Sequence, residues 1–259
     1  MTSQTNLRLA VLIDADNVPR DSLKGAMEEI AIYGTPTVKR IYGDWTSPNV
    51  SGWKQSLLEN AVIPIQQYGY TTGKNSTDSA MIIDAMDILY AGQVDGFVLV
   101  SSDSDFTRLA IRLREAGKYV IGMGEKKTPG PFIVACDKFI YIEVLRERAE
   151  KTRAAAKKKK NESGKKNADK NKAADRKVPE EVVELIAASV ADLADDDGYI
   201  DLSNLGNLII KKAPDFDPRN YGFGKLSTLL KNLSRFEVDV RTTADPHVRP
   251  IYIRDREHE

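Results

Sequence analysis

Two segments of this chain join an apolar run directly to a group of acidic residues. Residues 9–17 read LAVLIDADN, and residues 96–106 read GFVLVSSDSDF. Short apolar runs rich in β-branched residues are typical of strands that are buried on both faces of a parallel sheet. Such strands need helices on both sides, so these two segments favour an α/β architecture for the first part of the chain.

Strand and helix patterns alternate through residues 1–145, which predicts a parallel sheet between two layers of helices, a three-layer α/β/α sandwich. Pro64 indicates an edge or irregular position for the third strand, because proline cannot donate to a neighbouring strand. The predicted strands are 8–14, 37–42, 61–68, 97–101, 119–123 and 139–142, and the predicted helices are 18–32, 53–60, 76–90, 105–116 and 132–135.

Acidic residues from three separate segments are predicted to meet at one edge of this sheet. Asp14 and Asp103 follow two strands that we expect to lie side by side, Asp105 lies just beyond Asp103, and Asp78 opens a helix. In open α/β sheets, ligands bind at the carboxyl ends of the strands. Asn17, three residues after Asp14, can orient a phosphate or a water molecule there.

Clustered carboxylates repel one another, which raises their pKa values and favours the binding of a hard divalent cation. Ligation by the oxygens of Asp14, Asp78, Asp103 and Asp105 suits Mg²⁺ or Mn²⁺. Such an ion activates water and neutralises charge on a phosphodiester, so these residues predict metal-dependent phosphoester hydrolysis. With two histidines and one cysteine in the chain, a zinc site is not expected.

Each acidic residue also has a purely structural interpretation. Asp103 can cap the helix that follows it, and Asp105 can favour that helix dipole. We expect the Asp16 side chain to point away from the site. Asp84 and Asp87 are expected on the surface of the helix that Asp78 opens, with Asp84 a candidate for supporting the site from behind.

Charge is distributed unevenly along a chain whose net charge is zero. Residues 146–177 carry 14 basic and five acidic side chains and few apolar ones other than alanine. This composition predicts a linker that is either a solvated spacer or a contact to a polyanion backbone. Residues 178–259 regain a pattern of three helices and a hairpin, which predicts a small winged-helix-like α+β domain.

The motifs LIDADNVP, GKNSTDSAMIIDAMD and VLVSSDSDF resemble those of NYN-domain proteins, which belong to the PIN-like nuclease superfamily. The resemblance covers about residues 7–145 and looks closest to the bacterial LabA-like branch. It implies a metal-dependent ribonuclease. Ser102 stands where many relatives have glycine. The positions that match the family's acidic and polar site are Asp14, Asn17, Asp78, Asp103 and Asp105.

The tail, from about Val178 to Arg254, resembles an OST-HTH/LOTUS domain, most specifically in DPRNYGFGKLSTLL. The resemblance implies RNA binding, in some members with a preference for guanine-rich RNA. Tyr221 can instead pack in the core, and the domain's acidic balance argues against a broadly basic face. Lys74 of the first domain can hold a phosphate or be an ordinary loop lysine. The candidate RNA contacts by residue type are Lys74, Arg219, Tyr221, Lys225 and Lys231.

The predicted organisation is an NYN/PIN-like nuclease domain at 1–145, a basic linker at 146–177 and a LOTUS domain at 178–259. The leading hypothesis is a Mg²⁺- or Mn²⁺-dependent ribonuclease. One alternative is a catalytically inactive RNA-binding or regulatory protein. Another is an aspartyl-phosphate phosphatase built on Asp14-Ala15-Asp16, although the Asn17-Val18 that follows departs from that motif.

No apolar run approaches the roughly 20 residues that a membrane-spanning helix needs, and the N-terminus lacks the apolar stretch of a signal peptide. We therefore expect a cytoplasmic protein without membrane association. The expected partner is RNA, and a homodimer is an open alternative.

Overall fold

The computed structural model describes residues 6–47, 52–68, 76–147, 178–241 and 249–257. The chain divides into two compact units, Met1–Ser163 and Gly164–Glu259. Lys74 and almost all of the predicted linker lie outside the described residues. Within the described ranges, no helix combines the length and the apolar character needed to cross a membrane.

The first unit is an α/β sandwich, as predicted, with a six-stranded parallel sheet in the order β3-β2-β1-β4-β5-β6. Its strands are β1 (Leu7–Asp14), β2 (Gly34–Gly43), β3 (Ile63–Gln66), β4 (Gly96–Val100), β5 (Tyr119–Gly124) and β6 (Lys138–Tyr141). Its helices are α1 (Leu23–Tyr33), α2 (Lys54–Asn60), α3 (Ser76–Ala91), α4 (Thr107–Glu115), α5 (Gly130–Ala135) and α6, which includes residues 142–147.

The central strands are buried on both faces, which explains their nearly continuous apolar sequence. Alternate β1 residues, Leu9, Val11 and Ile13, join a core that includes side chains of α1 and α2. The residues between them, Ala10 and Leu12, join a second core that includes side chains of α3, α4 and α5. The period of two along a strand therefore assigns each β1 side chain to one helical layer.

The order of the strands reverses direction at β1. From β1 the chain moves outward through β2 to β3, and it then returns to place β4 on the other side of β1. The strands β1 and β4 are parallel neighbours, with Ile13 opposite Val100. In open α/β sheets, this switch point leaves a crevice beyond the carboxyl ends of the two strands. The predicted pairing of the two acid-tipped strands is therefore confirmed.

Several details of the first unit differ from the sequence-based expectation, among them α6, which begins at residue 142, where the last strand was expected to end. The first helix was expected from Val18, but a 3-10 turn at Arg20–Ser22 precedes α1, and Pro19 caps that turn. The third strand is shorter than predicted, and it is an edge strand, as Pro64 indicated. The differences at α1 and at the third strand fall at element ends, where local propensity is the weakest guide.

The second unit combines three helices with a small antiparallel sheet in the order β7-β9-β8. Its helices are α7 (Glu180–Leu193), α8 (Leu202–Lys212) and α9 (Leu226–Asn232), and its strands are β7 (Tyr199–Asp201), β8 (Phe236–Val240) and β9 (Ile251–Asp255). A single apolar core forms between them, and it includes Ile186, Leu205, Leu229 and Ile253. The turn that joins β8 to β9 lies mostly outside the described residues.

Strand β7 was not predicted. It has only three residues, and Gly198 before it adopts a positive φ of 77° that suits a tight turn. Asp201 ends the strand and caps α8 by accepting hydrogen bonds from the backbone of Ser203 and Asn204. So short a strand leaves almost no periodic signal, and its pairing with β9 is what stabilises it.

Candidate functional site

Asp14 ends β1 at the switch point, on the side of the sheet that faces α3. It continues the alternation of Ala10 and Leu12, whose side chains pack in the same core as Met81 and Ala85 of α3. Its side chain is buried, with 1% of its surface exposed. The alternation that builds the core thus also carries one carboxylate to the α3 side of the crevice.

Both oxygens of the Asp14 carboxylate accept hydrogen bonds. Oδ1 accepts from the backbone N–H of Asp16 (3.0 Å) and of Asn17 (3.3 Å). Oδ2 accepts from Ser101 Oγ (2.7 Å) and from Asn17 Nδ2 (2.8 Å). Burial raises the pKa of Asp14, while the hydrogen bonds from Ser101 and Asn17 oppose that rise. A carboxylate so fully engaged is poorly suited to act as the nucleophile of a phosphatase.

Ser101 connects the ends of β1 and β4, and the sequence analysis did not single it out. Its side chain is fully buried. Its Oγ donates to Asp14 and accepts from the backbone N–H of Asp103 at 3.1 Å. The signal that could have found it is a small hydroxyl residue directly after a buried strand, at the level of Asp14 on the neighbouring strand.

Asp103 and Asp105 follow β4 in a 3-10 turn at Ser104–Phe106. Asp103 caps this turn, because its Oδ1 accepts the backbone N–H of Asp105 at 2.9 Å. Asp103 therefore caps the 3-10 turn before α4 rather than α4 itself, and this hydrogen bond uses one of its two carboxylate oxygens. Asp103 is half-buried and Asp105 is exposed, so both border the crevice from the solvent side.

Asp78 lies in the first turn of α3 and is buried, with 8% of its surface exposed. One carboxylate oxygen each from Asp78, Asp103 and Asp105 lies within 4.8 Å of the others. Asp14 is not a member of this group, although its charge acts on Asp78. Burial, and after it the charges of Asp14, Asp103, Asp105 and Asp16, together raise the pKa of Asp78 to about 6.

This donor set suits a hard divalent cation. Three carboxylates from two segments converge within ligand range, and their mutual repulsion is relieved by a positive charge between them. Carboxylate oxygens are the ligands that Mg²⁺ and Mn²⁺ prefer. The chemistry of the three side chains therefore fits the cation that the sequence predicted, and Asp14, outside these three, acts on Asp78 through its charge.

The other acidic residues lie apart from the three-carboxylate group. Asp16 is exposed, and its charge still acts on Asp14 and Asp78, so the expectation that its side chain points away stays a prediction. Asp87 is also exposed on α3. Asp84 is half-buried and accepts from the Tyr42 hydroxyl and from the Arg40 guanidinium. Asp84 therefore links α3 to β2 through hydrogen bonds. The sequence predicted only a position on the helix surface or behind the site.

The predicted RNA contacts of the second unit fall into two classes. Arg219 is held by Asp217, with an Nη2–Oδ2 distance of 2.7 Å. Tyr221 is half-buried and lies against Phe216, with ring centroids 6.1 Å apart. Lys225 and Lys231, by contrast, are exposed. The two lysines are therefore the more available candidates.

A family model for the NYN domain matches residues 8–143, which is more than half of the chain. This chain belongs to the NYN-domain family. A second family model, for the OST-HTH/LOTUS domain, matches residues 175–248. The two matches confirm both resemblances noted in the sequence. Together they support a role in RNA binding or RNA cleavage.

Solved structures from several bacteria are similar to this chain. A protein of unknown function from Vibrio parahaemolyticus is 21% identical, with a TM-score of 0.46, over 55% of this chain and 96% of that one. A protein from Nitrosomonas europaea is 27% identical over 37% of this chain and 92% of that one (TM-score 0.29). A protein from Chromobacterium violaceum is 31% identical over 32% of this chain and 86% of that one (TM-score 0.25). No curated protein matches the chain.

Proposed function

We propose that the NYN domain hydrolyses phosphodiester bonds of RNA with the help of Mg²⁺ or Mn²⁺. The observation that carries this proposal is the convergence of Asp78, Asp103 and Asp105 within 4.8 Å at the switch point of the sheet. The family match supports it independently, because NYN domains belong to the PIN-like nucleases. The raised pKa of Asp78 adds support, since it reports carboxylates that lack a compensating charge.

In this proposal the three carboxylates hold the ion, and Asp14, outside these three, contributes negative charge. When bound, the ion neutralises charge on the phosphate and lowers the pKa of a water molecule. Ser101 and Asn17 hold Asp14 in place and favour its ionised form through their hydrogen bonds to its Oδ2. Asn17 therefore acts through Asp14 rather than directly on a phosphate.

The two domains divide the work in this proposal. Residues 1–145 cleave, residues 178–259 bind RNA, and the basic segment 146–177 adds contacts to backbone phosphates. Lys225 and Lys231 supply the exposed charge of the LOTUS domain, and Arg219 and Tyr221 assist from their partly buried positions. A preference for guanine-rich RNA, assignment to the LabA-like branch, a homodimer and a cytoplasmic location stay predictions.

The direct test is cleavage of end-labelled RNA by the full chain with Mn²⁺ or Mg²⁺, with and without a chelator. Asp103→Asn should lower the cleavage rate by at least about a hundredfold, because it removes one of the three carboxylates that hold the ion. Asp87→Asn is the matched control, since it makes the same change at an exposed site on α3. Equal cleavage by Asp103→Asn and Asp87→Asn would contradict the assignment.

The LOTUS match favours a second candidate, an RNA-binding regulator without turnover. The same assay separates the two functions. A regulator would bind RNA with or without Mn²⁺ and leave it intact. Asp103→Asn would change its affinity for RNA only by the small amount expected from removing one negative charge near a polyanion. A guanine-rich and a guanine-poor RNA of equal length should be compared in the binding arm.

A further inference from the structure

The loop between β5 and α5 lies beside the acidic group, at the same edge of the sheet. β5 is the parallel neighbour of β4, with Met123 opposite Val100. The backbone N–H of Ser101 donates to the carbonyl of Met123 at 2.9 Å, so the two strands stay paired up to their last residues. The loop residues 125–129, which read EKKTP, therefore follow directly next to the segment that carries Asp103.

Hydrogen bonds fix the position of this loop. The backbone N–H of Glu125 donates to Ser102 Oγ at 2.9 Å, and the N–H of Lys126 donates to Glu143 Oε1 at 2.9 Å. Thr128 is buried, and its Oγ1 donates to the carbonyl of Glu125 at 2.6 Å. The loop is thus tied to β4 on one side and to the start of α6 on the other.

The approach of β5 to the end of β4 is unusually close at Gly124. A Cβ atom at this position would lie 2.6 Å from the Ser101 carbonyl oxygen and 2.6 Å from Thr128 Oγ1. A side chain there would push the loop away from the acidic group. Glycine therefore lets the loop pack closely against the end of β4.

Two lysines stand on this loop, Lys126 and Lys127, and both are exposed. Lys127 pairs with Glu125 at 2.7 Å, but its side chain is 70% exposed and such a pair contributes little. Lys126 makes no ion pair with any residue in the described ranges, and Glu143 contacts only its backbone. The loop therefore presents positive charge beside a group of carboxylates that would otherwise repel a polyanion.

We infer that Lys126 and Lys127 bind the backbone phosphates of the RNA strand next to the scissile bond. This inference rests on the proposed ribonuclease function. In it, the two lysines attract the RNA backbone, which the acidic group repels. The residues EKKTP include no aromatic side chain, so the loop contacts the charged backbone and stacks on no base. Lysine is a point charge on a flexible stem, which suits contact with phosphates irrespective of sequence.

The test measures binding and cleavage of a short, end-labelled oligouridine RNA by the full chain. Binding is measured in the Asp103→Asn background over a series of salt concentrations, where cleavage does not interfere. Lys126→Gln should make the negative slope of log affinity against log salt shallower by about 0.7, the value for one phosphate contact on a single strand. The double variant, Lys126→Gln with Lys127→Gln, should make it shallower by about 1.4. In the cleaving protein, the double variant should raise KM about tenfold and leave kcat within about twofold.

Arg112→Gln is the matched control, because it removes one exposed positive charge from the last turn of α4, which is remote from the carboxyl edge. Lys126→Arg keeps the charge and should behave as the parent does, with an unchanged melting temperature. A salt slope and a KM for Lys126→Gln equal to those of Arg112→Gln would overturn the inference.

The failures of the two proposals are distinguishable. If the parent cleaves RNA and the lysine variants keep its salt slope and KM, the nuclease proposal stands and the phosphate contact is wrong. If the parent does not cleave but the slope falls in Lys126→Gln, the nuclease proposal is wrong and the loop still binds RNA.

Discussion

The LOTUS domain and the carboxyl edge of the NYN sheet arrange their charges in opposite ways. In the LOTUS domain, arginines lie against carboxylates, as Arg219 does against Asp217 at 2.7 Å and Arg254 against Glu237 at 2.8 Å. At the edge of the NYN sheet, the charges that raise the pKa of Asp78 are all carboxylates. Paired charges stabilise the fold in which they occur, whereas converging like charges destabilise it until a ligand neutralises them.

This difference indicates which domain depends on a ligand to neutralise its charges. The LOTUS core is formed by residues of that domain, and its exposed lysines lie outside the core. The crevice of the NYN domain is formed by the fold but is electrostatically unfavourable on its own.

The largest effect on folding is expected at the hydrogen bond between Ser101 and Asp14. Ser101→Ala removes a donor from a buried carboxylate, so it should lower the free energy of unfolding at pH 7 by about 2 kcal/mol. Because the lost bond lowers the pKa of Asp14, the cost should shrink as Asp14 is protonated in acid. Urea unfolding at neutral and acidic pH measures both values.

Ser102→Ala is the control for this experiment. Ser102 is also buried, but its Oγ accepts from the uncharged backbone N–H of Glu125. Its loss should cost about 1 kcal/mol with little dependence on pH. A cost for Ser101→Ala that does not exceed that of Ser102→Ala would contradict the importance of the buried Asp14 charge.

The affinity for Mn²⁺ should depend on pH through Asp78. Since the pKa of Asp78 is raised to about 6, a proton competes with the cation below that pH. The apparent affinity should fall about tenfold per pH unit below 6 and level off above it, as measured by calorimetry. An affinity that stays constant between pH 5 and pH 7 would exclude Asp78 as a ligand that must lose a proton.

The smallest effects are expected on the LOTUS surface. Lys225→Gln and Lys231→Gln should each weaken RNA binding about threefold with unchanged stability, because each removes one exposed charge. Arg219→Gln should instead lower the free energy of unfolding by about 1 kcal/mol, since it breaks contacts with Asp217. Lys211→Gln, on the last turn of α8, serves as the control.

The fold was predictable because its central strands carry a strong and simple signal. β1 and β4 are apolar along their whole length and end in acidic residues, and parallel strands must bring those ends to one edge. β7 was missed because three residues are too few to show a period. The turn before α1 was missed because proline fits both the first turn of a helix and the cap of a 3-10 turn.

The candidate site was predictable in its residues but not in its arrangement. Sequence order indicates that Asp14, Asp78 and Asp103 share an edge, but it does not show that Asp14 is held outside the group by Ser101 and Asn17. That arrangement depends on the register between β1 and β4 and on the bend after each strand. Such long-range details need coordinates, because no local pattern encodes them.

The most direct test of the central claim is the thermal stability of the full chain and of Asp78→Asn, each with and without Mn²⁺. The folded pKa of Asp78 lies above its ordinary value of 3.8, so its ionisation costs stability as pH rises through about 6. At pH 7 without metal, Asp78→Asn should therefore be more stable than the parent by about 1 kcal/mol, the loss expected after solvent screening. Mn²⁺ should raise the melting temperature of the parent and of Asp87→Asn, but not that of Asp78→Asn. A metal-free Asp78→Asn variant less stable than the parent, together with no response of the parent to Mn²⁺, would contradict the account.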